Sequence, residues 1–197
     1  MTSPYDDFLL AANPHAWLLS ADDLHREAVS LYGRRGREQI TLTSKAGAVS
    51  RDVVDRPAFL LAGFALENAI KAFLVYENPA WVSNGMLART LRSHSLRELQ
   101  SKSRLVPYKM RHLNVLRAFE DGLESWSRYP CGLTAADTRT AASLPIDLWA
   151  KYLLLMRAYG TRMVDLLGVG WNGPHGFHAS WTFGGGFLEM CERRNRK

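Results

Sequence analysis

Glu67 and Lys71 stand four residues apart in the run RPAFLLAGFALENAIKAFLVYEN, Arg56–Asn78, with Asn68 between them. On a helix, an acid one turn before a base brings the two charges together. The residues around them are apolar on nearly every side, as expected of a helix in the centre of a bundle. A carboxylate in such a place must be paired or lose its charge, because an isolated buried ion is strongly disfavoured. The spacing therefore predicts a polar network set into a core helix, which is either a structural lock or a functional site. Gly63, one turn before Glu67, leaves room for a neighbouring helix to approach.

Three further groups carry chemistry. His94 precedes Ser95-Leu96-Arg97-Glu98, a capping-box pattern that starts a short helix ending near Lys102. Beside a helix amino terminus, an imidazole either anchors its loop by hydrogen bonding or exchanges protons near neutral pH. Arg128, with Pro130 closing its helix, is placed to meet Glu67 through a bidentate contact. Tyr129 adds an aromatic face for stacking or for the core. His175 and His178 have no acidic or thiol neighbour to complete a metal set, and Gly184-Gly185-Gly186 lacks the lysine of a phosphate loop. No cofactor is implied.

These groups need elements to hold them. Asn13-Pro14 opens a helix whose apolar residues recur to Tyr32, stopped by Gly33. The stretch Ile40–Val54 is less regular and reads as a helix running toward the central one. Pro107 opens a helix to Ser127, and Pro145 another to Leu167. No run gives an alternating strand pattern. The expectation is all-α: a bundle over residues 1–168, followed by an irregular Gly- and aromatic-rich tail, 169–197, that packs on the bundle or on a second subunit.

The bulk composition sets bounds. The 197 residues are 47% hydrophobic and 22% charged, ordinary for a globular chain and too apolar for a disordered one. The net charge of +6 favours polyanionic partners through its long-range field. Arg34, Arg35, Arg37, Lys45 and Arg51 are the densest basic stretch, a solvated face or an RNA contact. Cys131 and Cys191 lack the spacing of a metal or redox pair. The acidic start MTSPYDDF is unlike a secretory leader, and the apolar run Pro57–Leu66 stops short of a bilayer's width, so a cytoplasmic protein with no membrane partner is expected.

Taken in order, the pieces Ala62-Gly63, Glu67 and Lys71, then His94-Ser95-Leu96 and Leu99, then Arg128-Tyr129-Pro130 resemble the HEPN family of helical bundles. The similarity spans roughly Arg56–Pro130. The resemblance implies four or five helices, a homodimer, and an association with RNA or nucleotides, in settings such as stress or defence. Some members of that family are metal-independent ribonucleases that use an arginine followed closely by a histidine, late in the fold. Here the last long helix carries Arg157 and Arg162 but no histidine, and only Arg89 to His94 has that kind of spacing. The leading expectation is a non-catalytic RNA- or nucleotide-binding protein with Glu67, Asn68, Lys71, Arg128 and Tyr129 in its polar network. One alternative is a ribonuclease using His94 with Arg89 or Arg128. Another is a protein–protein interaction module in which Glu67, Lys71 and Arg128 only fix helix register.

Overall fold

A computed structural model describes residues 4–45, 47–129, 131–136, 138, 147–184, 188 and 191. The helix expected from Arg56 to Asn78 runs as α3, Asp55–Glu77, and is the axis of the molecule. Its residues from Ala65 to Val75 are buried except Asn68, which is half-buried, so the helix is surrounded rather than merely docked on one side. It is also long and apolar enough to cross a membrane, yet 78% of its most apolar stretch is buried against neighbouring elements. That burial is what a bundle's core helix requires.

Around it lie α1 (Pro4–Ala12), α2 (Pro14–Tyr32), α4 (Leu96–Lys102), α5 (Leu113–Asp121) and α6 (Leu148–Val169). Of these, α2, α4, α5 and α6 pack directly on α3, and α1 packs on α2. Asn13 caps α2 as its position before Pro14 demands, its Oδ1 accepting from the Ala16 amide at 2.9 Å. An aromatic cluster joins three helices: Tyr32 of α2 stacks on Trp149 of α6 at 3.9 Å, and Phe59 of α3 meets Trp149 edge-on. The chain is thus mainly helical, as its periodicities predict.

Two expectations fail. The stretch Ile40–Val54 is not a helix but a hairpin, β1 (Gln39–Ser44) paired antiparallel with β2 (Gly47–Asp52). From Gln39 to Asp52 every described residue is exposed except Asp52, so no buried face imposes an in–out alternation that a sequence could show. What directs it is local: β-branched Ile40, Thr41, Thr43 and Val49, and Gly47 at φ +119° in the turn. Arg35 ties the hairpin root to α3 by pairing with Asp55 at 3.0 Å.

The second failure is at Pro107, which opens turns rather than a helix; α5 starts only at Leu113. Tyr108 adopts φ 56°, a left-handed conformation incompatible with a helical turn, and both Tyr108 and Met110 are exposed. No burial draws this segment into α5. The expected helix start at Pro145 lies outside the described residues.

At its far end α5 widens into one π-helical turn, Gly122–Trp126, where the Ser127 hydroxyl and amide both donate to the Gly122 carbonyl. The turn seats Leu123 directly over Gly63, so close that a Cβ at Gly63 would stand 2.9 Å from Leu123 Cγ and Cδ2. The close approach expected at Gly63 is therefore made by this turn. Gly63→Val is expected to cost about 1–3 kcal/mol, the usual penalty for overpacking a filled core. Urea unfolding would measure it, and a variant as stable as the parent would show that Leu123 moves aside freely.

The tail folds back on the bundle. Trp171–Asn172 and His178–Ala179 form a two-residue ladder, β3 and β4, and the Trp181 amide donates to the Leu167 carbonyl at 3.2 Å. Tyr76 of α3 donates toward the Leu166 and Gly170 carbonyls, and Trp181 stacks on His15 of α2.

Candidate functional site

Glu67 and Lys71 meet as their spacing requires. Lys71 Nζ donates to Glu67 Oε1 at 2.6 Å, with the two side chains only 5% and 6% exposed. A pair buried this deeply needs its remaining hydrogen-bonding capacity met, and tertiary structure supplies the partner. His94 Nδ1 lies 3.0 Å from Glu67 Oε2 and 3.1 Å from Oε1. On its far side Lys71 Nζ stands 5.5 Å from the ring centre of Trp17 on α2, a cation–π contact that helps hold the ammonium in an apolar setting.

His94 sits just before α4, where the Ser95 hydroxyl accepts from the Glu98 amide at 3.3 Å and caps the helix. The reciprocal half of a capping box is altered: Glu98 Oε2 accepts from the Ser93 hydroxyl, and Ser93 Oγ accepts from the Ser95 amide. This small network fixes the backbone on both sides of His94. The His94 side chain nonetheless stays 70% exposed. One edge of the ring is pinned to a buried carboxylate while the rest faces solvent.

The chemistry follows from the partner. A carboxylate only accepts hydrogen bonds, so Nδ1 must carry the proton and Nε2 is left with the lone pair in the neutral ring. Glu67 is balanced by Lys71, so the trio is neutral with His94 neutral and carries +1 when His94 is protonated. That extra charge appears at the exposed edge of the site. The arrangement can take up, hold or release a proton at the surface, or donate a hydrogen bond to an anion.

A second buried acid lies beside it, and sequence reading did not find it. Glu120 of α5 is buried, and accepts from the Ser95 hydroxyl at 3.1 Å, the Arg97 amide at 2.9 Å, and the Arg97 guanidinium at 2.8 and 3.1 Å. Burial alone would raise its pKa, but the bonds from Arg97 and Ser95 outweigh that and hold the carboxyl below the usual carboxylate range. Glu120 thus locks the first turn of α4, the turn that directly follows His94. Its signal in the sequence was slight: a lone acid on the apolar face of a helix.

Other expected members stand apart. Asn68 turns away from the trio and donates to the Phe64 carbonyl one turn back, at 2.8 Å. Arg128 does not clamp Glu67, whose carboxylate is taken by Lys71 and His94; it is exposed and lies against the ring of Tyr129, 5.6 Å from its centre. Tyr129 is itself exposed, outside the core, and Pro130 lies outside the described residues. Arg89 is exposed in a short 3-10 turn, Arg89–Arg92, on the loop that leads to His94. Of the two tail histidines, His175 ties the tail to the turn after α3, its Nε2 donating to the Ser83 carbonyl, and His178 Nδ1 pairs with Asn172 Oδ1 within the tail. Among the described residues, no group of three histidine, cysteine or acidic side chains gathers to hold a metal ion. No family model, no curated protein and no solved structure matches this chain.

Proposed function

We propose that the chain is an RNA- or nucleotide-binding protein of HEPN kind, with a phosphate-facing site centred on His94. The observation that carries this reading is the exposed imidazole held by both oxygens of a buried, lysine-balanced Glu67. A ring needed only to tether its loop has no reason to leave most of its surface in water. A ring that donates to an anion does. Arg89 and Arg92 stand exposed on the same loop, and the exposed basic hairpin around Arg34, Arg37, Lys45 and Arg51 offers further phosphate contacts. The order of the motif pieces supports the HEPN reading, because Glu67, Lys71 and His94 come together although more than twenty residues separate Lys71 from His94 in the chain.

The test is binding of a labelled mixed-sequence single-stranded RNA, followed by fluorescence anisotropy over a salt series. Affinity should fall steeply with salt, with a log–log slope of about −0.7 for each phosphate neutralised. His94→Ala should weaken binding by about tenfold, the worth of one charge-assisted hydrogen bond, with no change in melting temperature beyond a few degrees. Absent or salt-insensitive RNA retention would remove this reading and leave a protein-interaction module.

The tautomer imposed on His94 favours a second reading. With Nδ1–H held by Glu67, Nε2 is set to accept a proton from a ribose 2′-hydroxyl, the opening step of metal-independent RNA cleavage. The protein, incubated with cellular RNA and EDTA beside His94→Ala, decides it: cleavage by the parent alone assigns a ribonuclease, and intact RNA with both proteins removes that reading.

A further inference from the structure

The hairpin β1–β2 differs from the rest of the fold in having nothing over it. Among the described residues, both of its faces are open to solvent and no other element packs on either. A free two-stranded ribbon is only marginally stable in water. This one is held from its root. The Gly36 amide donates to Asp52 Oδ1 at 2.7 Å, and Arg35 bridges Asp52 and Asp55 at 3.7 and 3.0 Å. The root cluster fixes the ribbon between α2 and α3 and leaves both faces uncovered.

Those faces are unlike. Directly opposed residues share a face, and the register sets Leu42 against Val49 and Ile40 against Arg51. Ile40, Leu42 and Val49 therefore gather on one apolar face, each more than half exposed. The other face carries Gln39, Thr41, Thr43, Ala48 and Ser50, with the Thr41 and Ser50 hydroxyls bonded across the strands at 2.6 Å. Charge is also one-sided. Residues 34–55 hold five bases and three acids. Two of the acids, Asp52 and Asp55, are engaged by Arg35 at the root. Beyond that cluster, Arg34, Arg37, Lys45 and Arg51 stand exposed against Glu38 alone.

We propose that this ribbon is a docking surface for an anionic phospholipid bilayer. It lies flat, with Ile40, Leu42 and Val49 sunk into the boundary between headgroups and acyl chains. Arg51 on the same face, Lys45 at the turn, and Arg34 and Arg37 at the root reach the lipid phosphates on their long stems. At that shallow depth the unpaired strand edges still meet water. Other occupants answer only half of the surface. A nucleic acid meets the bases and leaves the apolar face wet. A second copy of the chain sets base against base. The face of two six-residue strands also covers roughly 200 Å², far below the about 800 Å² per partner of a stable protein interface. A bilayer supplies an apolar layer and negative charge together. No spanning segment is involved. The surface excludes His94, so the inference goes beyond RNA binding and does not rest on it.

Co-sedimentation of the full chain with vesicles of phosphatidylglycerol and phosphatidylcholine in equal parts tests it, beside vesicles of phosphatidylcholine alone. The anionic vesicles should retain the protein, less so as salt rises, and the neutral ones should bind it at least about tenfold more weakly. Lys45→Gln with Arg51→Gln should weaken partitioning by about 25-fold, fivefold for each base. Leu42→Thr with Val49→Thr keeps the charge and the β-propensity, and should weaken it by about tenfold. Both positions are exposed, so circular dichroism and melting temperature should hold. The threonine variant should bind RNA as the parent does, and His94→Ala should sediment with the vesicles as the parent does, which separates this surface from the RNA site. The proposal is overturned if the anionic vesicles do not retain the chain, or if the neutral ones retain it equally. It is also overturned if the threonine variant binds vesicles as tightly as the parent, because charge alone would then hold the surface.

Discussion

Replacing Glu67 by alanine is expected to lower the unfolding free energy by about 3–5 kcal/mol, the range for removing one partner of a buried ion pair. Lys71 is the reason. Its ammonium is 5% exposed, lies 2.6 Å from Glu67 Oε1, and has the ring of Trp17 on its other side. Without the carboxylate, a positive charge stays in an apolar core with only an aromatic face to answer it. His94 would lose its anchor at the same time, so RNA affinity should fall together with stability. The double variant Glu67→Gln with Lys71→Met should recover most of the lost stability, because both charges are then gone and the volume is kept. Urea unfolding of the three proteins measures this directly. A single variant within 1 kcal/mol of the parent, a figure below the lower bound of about 3 set above, would mean that Lys71 swings out to water and that the pair is no lock.

Acid is expected to destabilise the protein through His25, well before most carboxylates titrate. His25 is buried on α2 with its Nδ1 2.7 Å from the Tyr152 hydroxyl of α6. Burial drives its pKa from 6.5 down to about 4, and drives that of Tyr152 upward, so the contact joins a neutral imidazole to a neutral phenol. The unfolded chain takes up a proton near pH 6.5, whereas the folded chain refuses it until about pH 4. Between those values the unfolded state binds more protons, so stability falls as pH falls, by on the order of 3 kcal/mol across the window. His25→Gln keeps a polar partner for Tyr152 but cannot titrate. Its stability should be nearly flat from pH 6.5 to about 4.5, where the parent declines. Parallel curves for the two proteins would assign the acid sensitivity to other groups.

The helices and the sites differ in how far a sequence can carry them. The helices at Pro14–Tyr32, Asp55–Glu77 and Leu96–Lys102 were visible because their signals are local: an Asn-Pro start, an unbroken apolar run, a serine cap. The hairpin at residues 39–52 was not, because a ribbon exposed on both faces carries no burial pattern. At Tyr108 a left-handed backbone overrides the apolar periodicity that runs on from Pro107.

The same division runs through the chemistry. Glu67 and Lys71 lie one turn apart on one helix, so their pairing follows from spacing alone, and the apolar residues around them already implied its burial. Gly63 likewise marked a close approach, although only the fold says that a π-helical turn makes it, through Leu123. Which residue completes the carboxylate is another matter. Arg128 and His94 were both available, and the packing of the loop before α4 against α3 chose His94. Glu120 with Arg97 and His25 with Tyr152 both depend on elements far apart in the chain meeting in space. By itself the sequence determined the central helix, its internal ion pair and the mainly helical character, since these rest on contacts within a few residues. The partners of the buried charges were decided only by tertiary structure, because burying an ion requires an opposite group from whichever element the fold brings against it.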